Sequence, residues 1–372
     1  MIIGREILSQ LKIDLEFSTN TIKWDGASVP FRDSDSTAAD AYVVQDSASI
    51  KQAANRIKQI QDAKYQPADL HEVAQSASHL NEFEQNELEK CLREHETLFD
   101  GSLGRWTGDP YHIYLKKDST PYHARAYPVP QVHEQTLKAE VARLCEVGVL
   151  KKVNRSEWAA PSFIIPKKDG TVRFINDFRE LNKRIRRMPY PIPKIQDLLQ
   201  KLEGFKYATL LDLNMGYYHI ELDASSKQLC TIVFPWGKYE MQRLPMGLCN
   251  SPDIFQEKMS SLFADLQFVR AYIDDLLIIT KGTFKDHLEQ VRTVLQRLKG
   301  AGLKVNAKKS FFAREELEYL GYWITQKGIQ PVPQKVEAIH NIAPPTTKQQ
   351  LRRFIGMNNY YRDISLRQYQ IV

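Results

Sequence analysis

Apolar residues along this chain recur at two spacings, those of amphipathic helices and those of short strands. Helical spacing predicts helices over 81–99, 132–147, 193–203, 251–265 and 284–299, and a helical tail from Thr347. Short apolar runs predict strands over Ser162–Pro166, Val172–Asn176, Tyr207–Leu213, 303–306 and 318–324, and a hairpin over 268–280. Because helices and hairpins are mixed along the chain, the pattern predicts an α+β fold and not a doubly wound sheet.

Other parts of the chain lack this regular pattern. Residues 2–31 predict only short pieces of strand and helix. Residues 33–79 are rich in Ala, Ser, Asp and Gln and poor in large apolar side chains, which is typical of a flexible linker or a loosely ordered helix. The prolines between Pro121 and Pro130 predict an extended segment, since proline disfavours helix.

Charge is unevenly distributed over the 372 residues. The net charge is +6, but residues 1–100 carry 10 Lys and Arg against 18 Asp and Glu, a net charge of −8. Residues 101–372 carry 41 against 27, a net charge of +14. An acidic leader before a basic body indicates a polyanionic partner for the body.

Several classes of protein are excluded by simple features. No apolar run approaches the ~18 residues of a membrane span, and Arg5 and Glu6 interrupt what would be the apolar region of a signal peptide. The four cysteines are far apart and form no Cys-x-x-Cys pair, so neither a zinc ribbon nor a disulfide framework is indicated. These features predict a cytoplasmic protein with reduced thiols.

Three aspartates lie at the ends of apolar runs. Asp274 and Asp275 lie between the two halves of the hairpin 268–280, and Asp212 ends the run that begins at Tyr207. Adjacent like charges that are partly desolvated are unfavourable without a compensating partner. A divalent cation would compensate, and two acidic strand ends on one sheet could hold two metal ions about 4 Å apart for an in-line displacement at phosphorus. The alternative is an ordinary hairpin turn.

Six segments resemble the motifs of reverse transcriptases from gypsy-type LTR retrotransposons, and they follow one another along the chain in the order found in that family. Tyr272-Ile-Asp-Asp275 resembles their Y-x-D-D motif. The other segments are the fingers motif 167–182, the first metal-binding motif around Asp212, the template and nucleotide motif 243–256, and the palm segments 302–309 and 319–324. The resemblance runs from about 105 to 362. It implies a right-hand polymerase fold with fingers, palm and partial thumb, in which helices flank a mostly antiparallel palm sheet. The implied activity is RNA-directed DNA polymerisation.

The resemblance also implies a metal centre. Asp212, Asp274 and Asp275 are expected to be catalytic and to hold two Mg²⁺ ions, with Mn²⁺ as an alternative. The carbonyl of Leu213 is expected to complete one of the two metal sites.

Residues that bind the nucleotide follow from the same resemblance. Lys167 and Arg173 are expected to grip the incoming triphosphate, the alternative being a solvated basic hairpin. Tyr217 is expected to be a steric gate whose ring fills the space of a ribose 2′-hydroxyl. The alternative is a core aromatic, and since successive residues of a strand face opposite sides, only one of Tyr217 and Tyr218 can face the nucleotide.

Further residues are assigned less directly. Met246 and Gly247 are expected to contact the nucleotide, with Gly247 allowing close approach of the backbone. Lys309, or Lys308 beside it, matches a lysine proposed to protonate the pyrophosphate leaving group, and the alternative is a solvated charge pair. Gln256 is expected either to touch the template or to face solvent.

The template-primer duplex is the polyanion that the resemblance supplies. Arg184, Arg186 and Arg187 are expected to contact its phosphates, with a solvated face as the alternative. Tyr322 and Trp323 are expected in a primer-grip hairpin, although packing alone would also explain them.

The first residues resemble a different domain. Met1–Leu8 resembles the Ile-Ile-Gly-Arg-Asp/Asn-x-Leu segment near the C-terminus of retroviral-type aspartic proteases. The catalytic Asp-Thr/Ser-Gly motif does not precede it, so no protease activity is expected. The chain is thus expected to hold a protease remnant (1–32), an acidic linker and helix (33–104), fingers and palm (105–344), and a partial thumb or start of a connection (345–372).

The chain is therefore expected to be a fragment of a Pol polyprotein without RNase H or integrase. Its expected partners are an RNA or DNA template-primer, dNTPs and the other Pol domains, with no membrane. A virus-like particle is the expected location if the element is active. Two functions stay open, an RNA-directed DNA polymerase and a truncated, non-catalytic nucleic-acid-binding remnant. The oligomeric state is not determined.

Overall fold

The computed structural model describes residues 14–16, 21–24, 27–30, 67–166, 172–199, 202, 204–213, 215–332, 342, 344 and 346–360. The chain divides into two compact units, residues 1–50 and 51–372. In the first unit, three short strands form an antiparallel sheet in the order β1-β2-β3. These strands are β1 (Asp14–Glu16), β2 (Thr21–Trp24) and β3 (Ala27–Pro30).

Helices and strands are mixed along the second unit. The helices are α1 (Leu70–Gln75), α2 (Glu82–Arg93), α3 (Gln131–Glu146), α4 (Arg179–Arg184), α5 (Ile195–Leu199), α6 (Ala224–Leu229), α7 (Ser251–Leu262), α8 (Phe284–Gly300) and α9 (Lys348–Tyr360). The strands are β4 (Leu150–Val153), β5 (Ala160–Pro166), β6 (Val172–Asn176), β7 (Tyr207–Asp212), β8 (Thr231–Phe234), β9 (Gly237–Met241), β10 (Val269–Tyr272), β11 (Asp275–Thr280), β12 (Phe311–Arg314), β13 (Glu316–Tyr319), β14 (Tyr322–Thr325) and β15 (Gly328–Pro331). The predicted α+β fold is confirmed. None of the helices in the described part of the chain combines the length and the apolar character that a membrane crossing needs.

A five-stranded sheet has the order β4-β9-β8-β5-β6. Its neighbouring strands are antiparallel except for β5 and β8, which are parallel. The hairpin predicted from Ser162–Pro166 and Val172–Asn176 is confirmed, since β5 and β6 pair from Ser162 opposite Asn176 to Pro166 opposite Val172. The turn residues 167–171 lie outside the described residues.

A four-stranded antiparallel sheet in the order β10-β11-β7-β12 carries the three aspartates. Both of its faces are covered. Leu211 and Leu276 belong to the main hydrophobic core, whereas Leu210 and Leu277 belong to a second core against β13 and β14. Because side chains alternate between faces along a strand, covering both faces requires the continuous apolar runs seen in the sequence.

Residues 67–104 join the main core. The sequence predicts a linker or loose helix up to residue 79, but from residue 67 onward this segment contains α1, whose Leu70 and Val73 are buried. The helix predicted over 81–99 ends at Arg93, and its capping box between Asn81 and Glu84 is confirmed. Burial of these apolar residues against the main core explains why a segment of polar composition is ordered here.

Two predicted strands are wrong in detail. The segment 303–306 forms only an isolated bridge, between Val305 and Leu213. The predicted strand 318–324 is two antiparallel strands, because the chain reverses at Leu320, whose φ is +50°. The resulting three-stranded sheet has the order β13-β14-β15. An apolar pattern does not show a reversal inside a run, since residues on both sides of the turn remain buried.

Candidate active site

The register of β7 and β11 brings two aspartates together. Asp212, the last residue of β7, lies directly opposite Asp275, the first residue of β11. Residues opposite each other in an antiparallel pair project to the same face of the sheet. Alternation along the strands places both carboxylates on the face that carries Leu210 and Leu277. The pair therefore lies at the edge of the second core.

Asp274 lies in the two-residue turn between β10 and β11. Its carbonyl accepts a hydrogen bond of 3.2 Å from the backbone N–H of Leu213, so the turn is tied to the end of β7. Ile273 precedes it with a φ of +53°. Two-residue hairpins require a positive φ at their first central residue, and a β-branched residue is strained there. Strained backbone of this kind is concentrated at functional sites.

The electrostatics of Asp212 are unfavourable for an isolated carboxylate. Burial raises the pKa of Asp212 well above its ordinary value, and the negative charges of Asp274 and Asp275 raise it further. Lys309 acts in the opposite direction, because its charge lies close enough to lower the pKa of Asp212. A divalent cation at this point would compensate the clustered negative charge.

The three carboxyls are neighbours and not a closed ligand shell. Throughout the part of the chain that the structure describes, no three His, Cys, Asp or Glu side chains are already placed to hold a metal ion. Their chemistry nevertheless fits Mg²⁺, which prefers carboxylate oxygens and is bound through one or two carboxylates together with substrate phosphates. The unfavourable burial of Asp212 beside two like charges supports that fit.

The backbone of Asp212 is held by the segment before β12. Its N–H donates to Ser310 Oγ at 3.2 Å, and its carbonyl accepts from the N–H of Asn306 at 2.9 Å. Lys309 lies in the same segment, in the 3₁₀ turn Ala307–Lys309, and its ammonium is buried. No sequence pattern indicated a role for Asn306 or Ser310, because their contacts depend on the pairing of β7 with β12 in the fold.

Tyr217 lies in the 3₁₀ turn Gly216–His219. The sequence had suggested a strand for Tyr217 and Tyr218. Its half-buried ring packs edge-on against Phe255 of α7, with ring centroids 5.5 Å apart. Burial raises the pKa of the Tyr217 phenol, and the nearby charge of Asp274 adds to this effect. Tyr218, in contrast, is buried in the main core. Of the two tyrosines, Tyr217 is therefore the one beside the aspartates.

Close packing at Gly216 brings this turn to the helix. A Cβ added to Gly216 would lie 2.9 Å from Cζ of Phe255 and 3.5 Å from Cβ of Asp274. Only a residue without a side chain allows this approach. The turn bearing Tyr217 is thus packed directly between α7 and the aspartate hairpin.

The loop that carries Met246 and Gly247 is clamped by Asn182. The Asn182 side chain donates to the carbonyl of Gly247 at 2.8 Å and accepts from the N–H of Cys249 at 2.9 Å. Gly247 has a φ of +94°, and a Cβ there would lie 3.3 Å from the carbonyl oxygen of Asn176. Met246 is half-buried and Gly247 is exposed. Asn182 lies in the fingers motif, but its spacing from the loop gave no sign of this contact.

Gln256 neither faces solvent nor reaches an open surface. It is completely buried, and its side chain bonds to the backbone of the aspartate hairpin. The sequence expectation of a template or solvent position is therefore wrong for this residue in the structure. The reason is that α7 packs directly on β10, which the helical pattern of 251–265 does not specify.

Two of the three arginines expected at phosphates also form contacts within the protein. Arg184 donates to the carbonyls of Thr120 and Glu180, at 2.9 Å and 2.7 Å. Arg187 lies 2.7 Å from the buried carboxylate of Asp253. The buried Asp253 carboxylate requires such a donor, so Arg187 stabilises the fold at this point. Arg186 is exposed.

The remaining expected residues are spread over the structure. Arg173 lies on β6, opposite Ile165. Lys167 lies outside the described residues. On β14, Tyr322 is buried in the second core, and the half-buried Trp323 donates from Nε1 to Glu316 at 3.3 Å. Packing therefore accounts for Tyr322.

Known proteins are similar to this chain over the segment that carries the three aspartates. Residues 165–324 match the family model "Reverse transcriptase (RNA-dependent DNA polymerase)". The retrovirus-related Pol polyprotein from transposon 297 of Drosophila melanogaster is 31% identical over 293 residues, covering 76% of this chain and 28% of the relative. That from transposon opus of the same species is 35% identical over 249 residues, covering 65% and 25%. The Tf2-3 polyprotein of Schizosaccharomyces pombe is 30% identical, covering 68% and 19%. The chain thus spans 19–28% of the length of these relatives.

Solved structures resemble this chain over most of its length. A foamy viral protease-reverse transcriptase in complex with double-stranded DNA superposes with a TM-score of 0.72 at 25% identity, covering 80% of this chain and 53% of that one. The same kind of protein in complex with an RNA/DNA hybrid gives 0.71 at 25% identity, covering 79% and 40%. The expected right-hand polymerase fold is thereby confirmed.

Proposed function

We propose that this chain, whose residues 165–324 form a reverse transcriptase domain like those of retrotransposon Pol polyproteins, extends a primer 3′-hydroxyl with dNTPs on an RNA template. The observation that carries this proposal is the pairing of Asp212 with Asp275, beside Asp274. These are the three carboxylates of the two acidic motifs, and the fold joins them across 62 residues of sequence. A non-catalytic nucleic-acid-binding remnant would have no need to keep this cluster.

We propose that Asp212, Asp274 and Asp275 hold two divalent cations, with the Leu213 carbonyl as a further ligand. Bound there, the cations would lower the pKa of the primer 3′-hydroxyl and neutralise charge on the triphosphate. Asn306 and Ser310 would orient Asp212 through its backbone. The buried ammonium of Lys309 would donate a proton to the departing pyrophosphate.

The nucleotide would lie between this cluster, the Tyr217 turn and the loop of Met246 and Gly247. Tyr217 is placed for selection of the sugar because it lies beside Asp274, held against α7 by Phe255. Lys167 and Arg173 of the β5–β6 hairpin would grip the triphosphate, in keeping with the affinity of Lys and Arg for phosphate.

A template-primer duplex is the proposed partner. The two solved relatives described above are bound to double-stranded DNA and to an RNA/DNA hybrid. In this chain, residues 101–372 carry a net charge of +14, which suits a polyanionic duplex. Of the expected contacts, Arg186 and Trp323 have exposed or half-buried side chains suited to this role.

The finer assignment is to a gypsy-type element. It rests on the six ordered motifs between 167 and 324 and on Met1–Leu8, which resembles the end of a retroviral-type protease. We propose that residues 1–32 derive from that protease, that 105–344 are fingers and palm, and that 345–372 are a partial thumb or the start of a connection. The residues Met1–Leu8 themselves lie outside the described part of the structure.

Primer extension tests the proposed function. The purified chain is incubated with oligo(dT) on poly(rA), dTTP and Mg²⁺, and product length is followed on a gel. We expect extension by the wild type and a loss on the order of 10³-fold in Asp274→Asn, since metal coordination contributes several kcal/mol to such reactions. The exposed Asp118, replaced in Asp118→Asn, is the matched control and should extend normally. Duplex binding without any extension by the wild type would establish the nucleic-acid-binding remnant instead.

A further inference from the structure

Gln256 of α7 uses both donors of its side-chain amide and accepts one hydrogen bond at its oxygen. Its Oε1 accepts from the backbone N–H of Ile273 at 2.7 Å. Its Nε2 donates to the carbonyl of Ala271 at 3.1 Å and to Ser260 Oγ at 3.0 Å. The amide has two N–H donors, and both are used. Because its exposed fraction is 0%, neither a template nor solvent competes for these groups.

The two backbone bonds bracket Tyr272, the first residue of the Y-x-D-D segment. An N–H faces Oε1 and a carbonyl faces Nε2, so only one orientation of the amide satisfies both. Gln256 therefore takes the place of a neighbouring strand for these two residues, on the side of β10 away from β11. The side chain holds the hairpin at the point where it turns.

The held residue is the strained one. Ile273 adopts a φ of +53° immediately before Asp274. A β-branched residue leaves this conformation unless its surroundings keep it there. The short bond from Ile273 to Gln256 is a contact that favours the strained turn over relaxed alternatives. The bond therefore lies directly before Asp274 and Asp275 in the chain.

The same helix also holds the other half of the site. Phe255, the residue before Gln256, packs against Tyr217 and against Gly216. Successive residues of α7 thus contact the Tyr217 turn and the aspartate hairpin. The helix begins four residues after Gly247, so the loop proposed to bind the nucleotide leads directly into it.

We propose that Gln256 is a positioning residue that holds the strained turn at Ile273 so that Asp274 and Asp275 can meet Asp212 and bind metal. This inference rests on the proposed function and adds to it a residue that touches neither nucleotide nor metal. Its effect is transmitted through the backbone of Ala271 and Ile273. It predicts a defect in metal binding and in the chemical step, with nucleotide and duplex binding preserved.

Four variants of the full chain test this role. Gln256→Met keeps the size of the side chain and removes the contacts to both backbone groups. Gln256→Glu keeps an acceptor for Ile273 and loses the donor for Ala271 when ionised. Ser260→Ala removes only the third contact. Gln290→Met is the matched control for a glutamine that accepts a hydrogen bond, from Thr280, away from the aspartates.

Three measurements distinguish positioning from general stability. Hydrogen exchange of the segment 269–280 should be faster in Gln256→Met, because the Ile273 amide has lost its acceptor. The affinity for Mn²⁺, measured by electron paramagnetic resonance, should fall about tenfold. In primer extension, kcat should fall ~10–100-fold, while the KM for dTTP and the Kd for the duplex stay within about twofold of the wild type. Ser260→Ala and Gln290→Met should leave all of these values near those of the wild type.

The proposal is overturned if Gln256→Met keeps wild-type Mn²⁺ affinity and kcat, or if Gln290→Met reduces both equally. If thermal unfolding shows that Gln256→Met is not folded, the same measurements on Gln256→Glu decide the question. If the wild type fails to extend a primer, the proposed function is wrong. The hydrogen exchange and Mn²⁺ affinity of Gln256→Met still decide the role of Gln256 in that case.

Discussion

Asp212 and Asp275 lie directly opposite each other on neighbouring antiparallel strands, and the apolar pairs behind them set this register. Leu211 opposite Leu276 faces the main core, and Leu210 opposite Leu277 faces the second core. A slip of one residue would move every side chain of β7 to the wrong face. Packing of the sheet therefore determines that the two carboxylates meet.

Because the two carboxylates meet, we expect Asp212 to be needed for activity but to lower the stability of the metal-free fold. We expect Asp212→Asn to abolish primer extension and to raise the midpoint of thermal unfolding in metal-free buffer by about 1–4 °C. The reason is that burial and the charges of Asp274 and Asp275 make ionisation of Asp212 unfavourable in the fold, which lowers its stability, whereas asparagine does not ionise. Scanning calorimetry of the wild type, Asp212→Asn and the exposed control Asp118→Asn checks this. A lower midpoint for Asp212→Asn would contradict it.

Tyr217 predicts selection of the sugar. We expect Tyr217→Ala to accept ribonucleotides, so that the ratio of kcat/KM for dTTP over UTP falls at least about tenfold, because the ring that excludes a 2′-hydroxyl is gone. Tyr217→Phe keeps the ring and its packing on Phe255, so it should keep the preference. Single-nucleotide primer extension measures both ratios. An unchanged preference in Tyr217→Ala would show that the ring only fills the core.

The two hydrogen bonds from Asn182 to the loop of Met246 and Gly247 predict that Asn182 contributes to the affinity for the nucleotide. We expect Asn182→Ala to raise the KM for dTTP about 5–50-fold, because the loop of Met246 and Gly247 loses its two side-chain hydrogen bonds. The value of kcat should change less, since the aspartates are not touched. The exposed Asn154, replaced in Asn154→Ala, is the control. Equal values of KM for the two variants would show that these hydrogen bonds do not affect the affinity for the nucleotide.

Two buried histidines predict a loss of stability in mild acid. Burial lowers the pKa of His219 to about 4 and that of His287 to about 3, against 6.5 for an unperturbed histidine. Both are neutral in the fold. His219 contacts the Gly216 carbonyl and accepts from the Lys304 N–H, and His287 contacts Thr209 and Thr280. The unfolded chain therefore binds protons first as the pH falls. This contribution to the free energy of unfolding is complete above about pH 6.5 and decreases towards pH 4.

Urea unfolding at several pH values checks this. Between pH 7.5 and pH 5 we expect the two histidines together to lower the free energy of unfolding by roughly 2–4 kcal/mol, each pKa unit being worth about 1.4 kcal/mol. His287→Gln should have a shallower dependence on pH than the wild type. The exposed His123, replaced in His123→Gln, should keep the wild-type dependence. Parallel curves for the wild type and His287→Gln would contradict the assignment.

The sequence by itself determined those features that depend only on residues close together in the chain. Continuous apolar runs predicted β7 and the β10–β11 hairpin with Asp212, Asp274 and Asp275 at their ends, because strands covered on both faces need such runs. The capping box of α2 was equally readable, since its two residues are three positions apart. The resemblance to reverse transcriptases was readable too, because each of the six motifs is a short segment of consecutive residues.

Only the tertiary structure decided which polar side chains serve the site. Gln256 bonds to Ile273 across 17 positions, and Asn182 bonds to Gly247 across 65. Arg187, expected at a phosphate, forms an ion pair with Asp253 across 66 positions. A polar residue in a local pattern is equally compatible with solvent, ligand or a distant backbone group. The choice among them is made by burial, which forces each enclosed donor and acceptor to find a partner wherever the fold places one.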